Sequence, residues 1–309
     1  MSNRVCIEKI GYSSLSYYSI PDICFRDYYL SVCSVIKKEL SSIRSGINLN
    51  FCQEPVEFGN SNPTFTLSLQ PEHTLVKPGG RSCDPSNILG EASYDNENYL
   101  IRLDKYDTLK KSDAILDYSM ANITHLEKGK TKSLINKFFY FSPLTYDDTF
   151  FDTADRTDII TLFNPQSSDR RKSFLEGSCN LSSPVKNIMD VFDKTDLRNI
   201  YKKSRVLVNI HQTPHHHTLE ELRVLPAILN GVIVVSENVP LKNEIPYSDF
   251  VVWSEYSDMN DTIRRVLGDY KNIHNKIFSF SLKEKIENMR KNNSSSINRL
   301  LNHLLEKNH

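Results

Sequence analysis

The sequence predicts an α/β protein built from two Rossmann-like units. Three observations carry this. Short apolar, β-rich runs alternate with segments of helical periodicity, the pattern of parallel sheets covered on both faces. The alternation restarts near Thr157 with "TDIITLFNP", giving a second set of the same kind. The 309 residues suit two domains of ordinary size better than one minimal one.

In the first unit, "RVCIEKI" reads as a strand and "RDYYLSVCSVIKKELSSI" as an amphipathic helix. "INLNFC" is short and β-rich. "PTFTLSLQPEHTLVKPGG" begins as a strand and turns irregular through Pro71, Pro78 and the Gly79-Gly80 pair, a strand running into a loop. "NYLIRLDKYDTLKKSDAILDYSMANITHLEKG" predicts a strand, a helix, a strand and a helix ending at Gly129. "KFFYFSPLTYDD" adds a strand and a loop.

In the second unit, "SSDRRKSFLEGS" is a polar turn opening a helix, and "VKNIMDVF" a strand or short helix. "TDLRNIYKKS" is a helix capped by Thr195 or Asp196. "RVLVNIH" and "VIVVSE" are strands flanking a helix, "TLEELRVLPAILNG", that ends at Gly231 with Pro226 inside it. "PYSDFVVWSE" carries a strand and "MNDTIRRVLGDY" a helix. "NNSSS" predicts a helix break or cap. Beyond it Ile297, Leu300, Leu301, Leu304 and Leu305 share one helical face that must dock elsewhere.

Composition narrows the function classes. Lys+Arg and Asp+Glu balance at 38 each, so no net field draws in a nucleic-acid backbone, and nucleic acid is not an expected partner. No apolar run approaches the ~18 residues of a membrane span, and no basic-then-apolar start marks a secretory leader. Six scattered cysteines (6, 24, 33, 52, 83 and 179) read as reduced thiols in a cytoplasmic setting.

Four clusters could carry chemistry. His211, His215, His216 and His217 invite a metal. No cysteine is near, and consecutive histidines cannot all reach one ion in good geometry, so a solvated loop is favoured and no metal is expected. His211 stands apart: it directly follows the strand "VLVNI", where α/β folds place ligands, and lines a pocket or merely ends a strand. Glu220 and Arg223 lie three apart at the start of a helix. The N-terminal amides and the guanidinium suit an anion there, although on spacing alone an ordinary surface ion pair explains them better. "NPQSSDRRKSF" brings Arg170 and Arg171 to another helix start after a strand, again suited to a diphosphate or simply facing water. No GxGxxG stretch points to a dinucleotide. Gln70, Glu72, His73 and Lys77 follow a strand of the first unit, where His73 or a carboxylate could accept a proton from a hydroxyl, or the group could merely cap a loop.

In order, these segments resemble the GT-B glycosyltransferases of the glycosyl transferases group 1-like family. "SRVLVNIHQTPHHHTLEELRVLPAILNGVIVVSENVP" is similar to their C-terminal signature of strand, Glu-x-x-Arg helix, Gly turn and "vvSE". "KSDAILDYSMANITHLEKG", "FFYFSPLTYDD" and "TDIITLFNPQSSDRRKSFLEG" resemble the segments that lead into the donor domain. The resemblance covers roughly residues 64–253. It implies an acceptor-side domain over 1–155, a nucleotide-sugar domain over 156–290, and a C-terminal helix over 291–309 crossing back to the first. It implies a metal-independent, retaining hexosyl- or pentosyltransferase moving a sugar from a nucleotide-sugar to a hydroxyl of a glycan or related acceptor. Arg170 or Arg171, Arg223 and the helix start near Thr218 would hold the diphosphate. Glu220 and His211 would line the donor pocket, with Ser236 and Glu237 contacting sugar or ribose. His73 would be a base or acceptor contact, and the loop from Gln70 to Arg81, with Glu72 and Lys77, would line the acceptor side. Many retaining members carry Glu-x7-Glu, but those positions are Thr218 and Pro226 here, leaving Glu220 or Glu237 to substitute. The alternative is a catalytically degenerate GT-B protein that binds a nucleotide or glycan without turnover.

Overall fold

The computed structural model describes residues 4–21, 24–52, 54–79, 85–94, 96–126, 129–153, 155–181, 183–215 and 218–307. The first unit runs β1 (Val5–Ile10), β2 (Ser13–Tyr18), α1 (Arg26–Leu40), β3 (Asn48–Asn50), β4 (Thr64–Gln70), β5 (Leu75–Val76), β6 (Ile88–Tyr94), β7 (Glu97–Arg102), α2 (Tyr106–Lys111), β8 (Ala114–Asp117), α3 (Met120–Ile123) and β9 (Phe138–Tyr140). Its main sheet has the order β1-β2-β3-β4-β8-β9. Only β1 is antiparallel to its neighbour; β2 onward are parallel. A small antiparallel sheet, β5-β7-β6, packs beside it.

The second unit runs β10 (Asp158–Thr161), α4 (Asp169–Gly177), β11 (Val185–Asn187), α5 (Lys194–Lys203), β12 (Ser204–Asn209), α6 (Glu221–Leu229), β13 (Ile233–Glu237), β14 (Val252–Ser254), α7 (Met259–Gly268), α8 (Tyr270–Ile277) and α9 (Phe280–Glu306). Its five strands are all parallel, in the order β11-β10-β12-β13-β14. Helices cover both faces, so β13 is buried at every position and reads as one apolar run rather than an alternation. Gly231, at φ +73, turns the chain from α6 into β13; a side chain there would meet the Phe150 carbonyl at 2.6 Å.

This is an α/β fold of two Rossmann-like units facing a cleft, with a C-terminal helix crossing back to the first. Phe141 belongs to the first core and Leu144 to the second, so the chain crosses between them. Residues 144–155, placed with the first unit by the sequence, thus pack in part on the second through Leu144 and Tyr146. α9 makes the return. Its Leu282, Ile286 and Met289 lie in the second core, and Ile297, Leu300, Leu301 and Leu304 in the first.

Several sequence expectations need correction. β2, β5 and β6 were not expected, because their serines, short length or half-exposed faces hide the strand signal. The helix expected to end at Gly129 is the four-residue α3. α5 is capped by Asp193, whose carboxylate accepts from the amides of Thr195 (2.8 Å) and Asp196 (3.2 Å), so neither of those is the cap. α6 begins at Glu221, leaving Thr218 before the helix and Glu220 at its N-cap position.

The largest departure is "NNSSS", which breaks nothing: it lies inside the unbroken α9. Asn293 is buried and reads the backbone of Ser142 in both directions. Its Oδ1 accepts from the Ser142 amide (2.9 Å) and hydroxyl (2.9 Å), and its Nδ2 donates to the Ser142 carbonyl (3.0 Å). Tertiary bonding at the crossing overrides the weak helix propensity of the segment. Asn293→Leu strands these buried groups and should lower stability by about 2–4 kcal/mol. A urea midpoint within about 0.5 kcal/mol of wild type would show that the clamp is dispensable.

Candidate functional site

In the second sheet the chain steps from β10 outward to β11, then returns to the other side of β10 to form β12. That reversal opens a crevice at the carboxyl ends of β10 and β12, where open parallel sheets take ligands. Two loops furnish it. After β10, Ser168 caps α4: its hydroxyl accepts from the Arg171 amide (3.2 Å) and donates to the Gln212 carbonyl (2.5 Å). The cap sets Arg170 and Arg171 in the first turn of α4. After β12, the chain runs through His211 and Thr218 into α6, which carries Arg223 in its first turn.

Arg171 is 4% exposed. Its Nε donates to the Ile210 carbonyl (3.0 Å), and its Nη2 meets Glu220 Oε1 at 2.8 Å. The other carboxylate oxygen of Glu220 pairs with Arg223. One carboxylate thus bridges two guanidiniums. Burial pushes the Arg171 guanidinium down to about 10. Burial and the charge of Arg171 push Arg223 down to about 9. Both stay cationic at neutral pH, so the pair carries positive charge that Glu220 alone does not cancel. Alongside, Arg170 pairs with Glu237 and stacks over Tyr256, 3.7 Å from the ring centre. Glu237 also accepts from the His211 amide (3.0 Å).

The first unit closes over this edge. His73 shares a hydrogen bond through Nδ1 with the Thr218 hydroxyl, and the Lys77 amide donates to the His215 carbonyl (2.8 Å). Arg102 holds the His73 carbonyl from below, through Nε (3.3 Å) and Nη2 (3.1 Å). Between the units lies a cavity of about 340 Å³. Tyr28, His73 and Tyr118 line it from the first unit, and Leu162, Glu220 and Arg223 from the second.

The structure therefore brings His73, Glu220 and Arg223 to one cavity, with Arg171 behind Glu220 and Thr218 holding His73. It does not bring all the sequence candidates there. Ser236 is fully buried, bonded to Asn209 (3.0 Å) across β12 and β13. His211 is 2% exposed, with Nε2 3.4 Å from the Asn238 carbonyl. Gln70 and Glu72 line a neighbouring cavity instead. Lys77 is ion-paired with Glu97 and lines neither cavity. His216 and His217, like Gly80, Arg81 and Cys83, fall outside the described residues. Among the described residues no three of His, Cys, Asp and Glu gather as a metal cluster, and no helix is long and apolar enough to cross a membrane. Cys6, Cys33, Cys52 and Cys179 are free thiols.

Sequence reasoning missed a group of acids where α6 meets the first unit. Glu221 and Asp117 are fully buried. Tyr247 donates to Glu221 Oε2 (3.0 Å), while Asp117 accepts from the Ser119 amide (2.9 Å) and Asn122 (3.1 Å). Burial raises both carboxyls, and the charge of Glu221 raises Asp117 further. The sequence signals were a second glutamate beside Glu220 and the aspartate of "AILDYS".

No protein-family model matches the chain. Over 213 residues it is 27% identical to an uncharacterised protein of Acanthamoeba polyphaga mimivirus, covering 65% of this chain and 72% of that one. Among solved structures it is similar to two UDP-forming α,α-trehalose-phosphate synthases from Burkholderia xenovorans. One shows 9% identity and a TM-score of 0.36, covering 98% of this chain and 89% of that one. The other shows 11% identity and a TM-score of 0.42, covering 97% and 89%. A calicheamicin glycosyltransferase shows 10% identity and a TM-score of 0.32, covering 89% and 73%.

Glu221 makes the seam pH-dependent. Its carboxyl is pushed up to about 7 by burial, whereas an unfolded glutamate ionises near ~4.3. The folded chain holds this proton more tightly, so its contribution is full below that lower value and lost as pH rises through about 7. The whole effect is on the order of 3 kcal/mol. Glu221→Gln should flatten the fall in urea-measured stability between about pH 5 and about pH 8. An unchanged slope would assign the dependence to another group.

Proposed function

We propose that the chain is a glycosyltransferase that moves a sugar from a nucleotide-sugar to a hydroxyl of a glycan or related acceptor, without metal and with retention of configuration. One observation carries the reading: Arg171 and Arg223 share the single carboxylate of Glu220 at the wall of an inter-unit cavity, with His73 on its other wall. Transfer breaks the bond between the anomeric carbon and the diphosphate oxygen and forms one to the acceptor oxygen on the same face of the sugar, which keeps the configuration. Negative charge develops on the leaving diphosphate, and buried, preoriented guanidiniums stabilise it as a metal would elsewhere. The acceptor proton passes to His73. With the other ring proton on Nδ1 and donated to Thr218, Nε2 is the basic nitrogen. Glu220 keeps the two guanidiniums apart and oriented until the diphosphate arrives. Glu237 and His211 are nearly closed off, so a ribose contact there requires the loops after β12 and β13 to part.

A specific observation favours a second reading, nucleotide or glycan binding without turnover. Thr218 and Pro226 stand where an acidic pair would, and Glu220 and Glu237 are both committed to arginines. Thermal melts in EDTA with nucleoside diphosphates and nucleotide-sugars, followed by transfer and hydrolysis assays, separate the two. A nucleotide at about 100 times its Kd adds about 2.7 kcal/mol of stability. Binding without turnover supports the second reading, and no stabilising nucleotide overturns the transfer reading and leaves the second only its glycan arm. Arg223→Ala leaves Glu220 its partner Arg171, so the fold should persist while transfer falls about 10²–10³-fold. Near-normal transfer in that variant removes the phosphate role.

A further inference from the structure

Beside the inter-unit cavity, a second one of about 350 Å³ opens in the first unit, around the carboxyl ends of β2 and β4. Phe25 and Pro71 line both, so the two cavities adjoin. Tyr18, Phe25 and Phe51 give the second cavity aromatic surface, and Gln70, Glu72 and Asp104 give it hydrogen-bonding groups. The charge on its lining is unlike that of the first. The nearby guanidinium, Arg102, is 6% exposed and is not part of the lining. It is held by Glu72 (3.7 Å), Asp104 (3.4 Å) and the His73 carbonyl. The lining therefore presents two carboxylates, each paired with the recessed Arg102, an amide, and the exposed Lys105. A phosphate, sulfate or carboxylate entering here would approach Glu72 and Asp104 and find no arginine fork. A ring with an apolar C–H face and neutral hydroxyls meets the aromatic surface and the carboxylate acceptors without such repulsion.

We propose that this cavity binds a neutral carbohydrate ring, and that the acceptor of the proposed transfer is a neutral glycan rather than a phosphorylated, sulfated or uronic one. The second clause rests on reading the adjoining cavity as the transfer site; the first does not. A ring seated on Tyr18 and held by Asp104 reaches His73 past Phe25 and Pro71.

The test is a glycan array bearing neutral, phosphorylated, sulfated, uronic and sialylated glycans, probed with the full chain. Tyr18→Leu, which keeps apolar bulk but removes the ring, and Asp104→Asn, which keeps the shape but removes the charge, are probed in parallel. Retention confined to neutral glycans is expected, with the Kd of the tightest weakened about tenfold by Tyr18→Leu. Preferential capture of anionic glycans, neutral binding indifferent to both substitutions, or no glycan retained would each overturn the proposal. Nucleotide-induced melting shifts on the same proteins keep the two readings apart. Tyr18→Leu should retain the wild-type nucleotide response while losing glycan. If neutral glycans bind through Tyr18 and no nucleotide stabilises the chain, the cavity assignment stands and the transfer reading falls.

Discussion

The cleft depends on how the chain joins its two units. The polypeptide crosses between the cores twice, near Ser142 and again within α9, and one buried amide fastens the crossings together. Asn293 satisfies the amide, hydroxyl and carbonyl of Ser142, groups that cost free energy if buried unpaired. On either side of that bond, α9 buries leucines against one core and Leu282, Ile286 and Met289 against the other. The helix thus bridges the two units, with Asn293 between the stretch that packs on one core and the stretch that packs on the other.

Burying arginine is costly, and the chain resolves that cost in two ways that mark structure apart from site. Arg156 is 2% exposed and donates to the carbonyls of Asp152, Tyr201, Ser204 and Asn230. Every branch of its guanidinium is engaged by backbone, which staples the segment before β10 to the ends of α5 and α6. Arg171 and Arg223 instead divide one carboxylate, and Arg223 faces a cavity. Positive charge left over beside open space is the arrangement suited to an incoming anion, whereas charge dissolved among carbonyls is not.

The sequence made the second unit more legible than the first. β12 and β13 are central, covered on both faces, and read as apolar runs that need no further context. β2 puts a single aliphatic, Leu15, into the core among serines and tyrosines and so gives little strand signal, and "NNSSS" stays helical where Asn293 bonds Ser142. Within the site, Arg171, Glu220 and Arg223 were marked by their places at helix starts. Ser236 and His211 were marked by their places at strand ends, yet they turned inward. Strand ends bring residues to an edge without saying which side of it they face. His73 could be found as a polar residue after a strand, but its bond to Thr218 joins residues 145 positions apart and leaves no trace in sequence spacing.

The adjacent glutamates at the start of α6 show why position matters more than composition. Glu220 and Glu221 are chemically alike and one residue apart, but Glu220 holds the non-helical N-cap position while Glu221 opens the helix. Glu220 points to Arg171 and Arg223 at the cavity, while Glu221 is buried among Tyr118, Tyr140, Tyr247 and Asp117. Leu222, next along, packs against the first core. The first turn of α6 therefore holds the arginines in place on one side and is itself held by the other unit on the opposite side. A ligand that drew Glu220 away from its guanidiniums would strain a turn already fixed by buried acids, so any movement that admits a diphosphate must come from the side chains of Glu220 and Arg223 or from the loops around them, with α6 as the fixed reference.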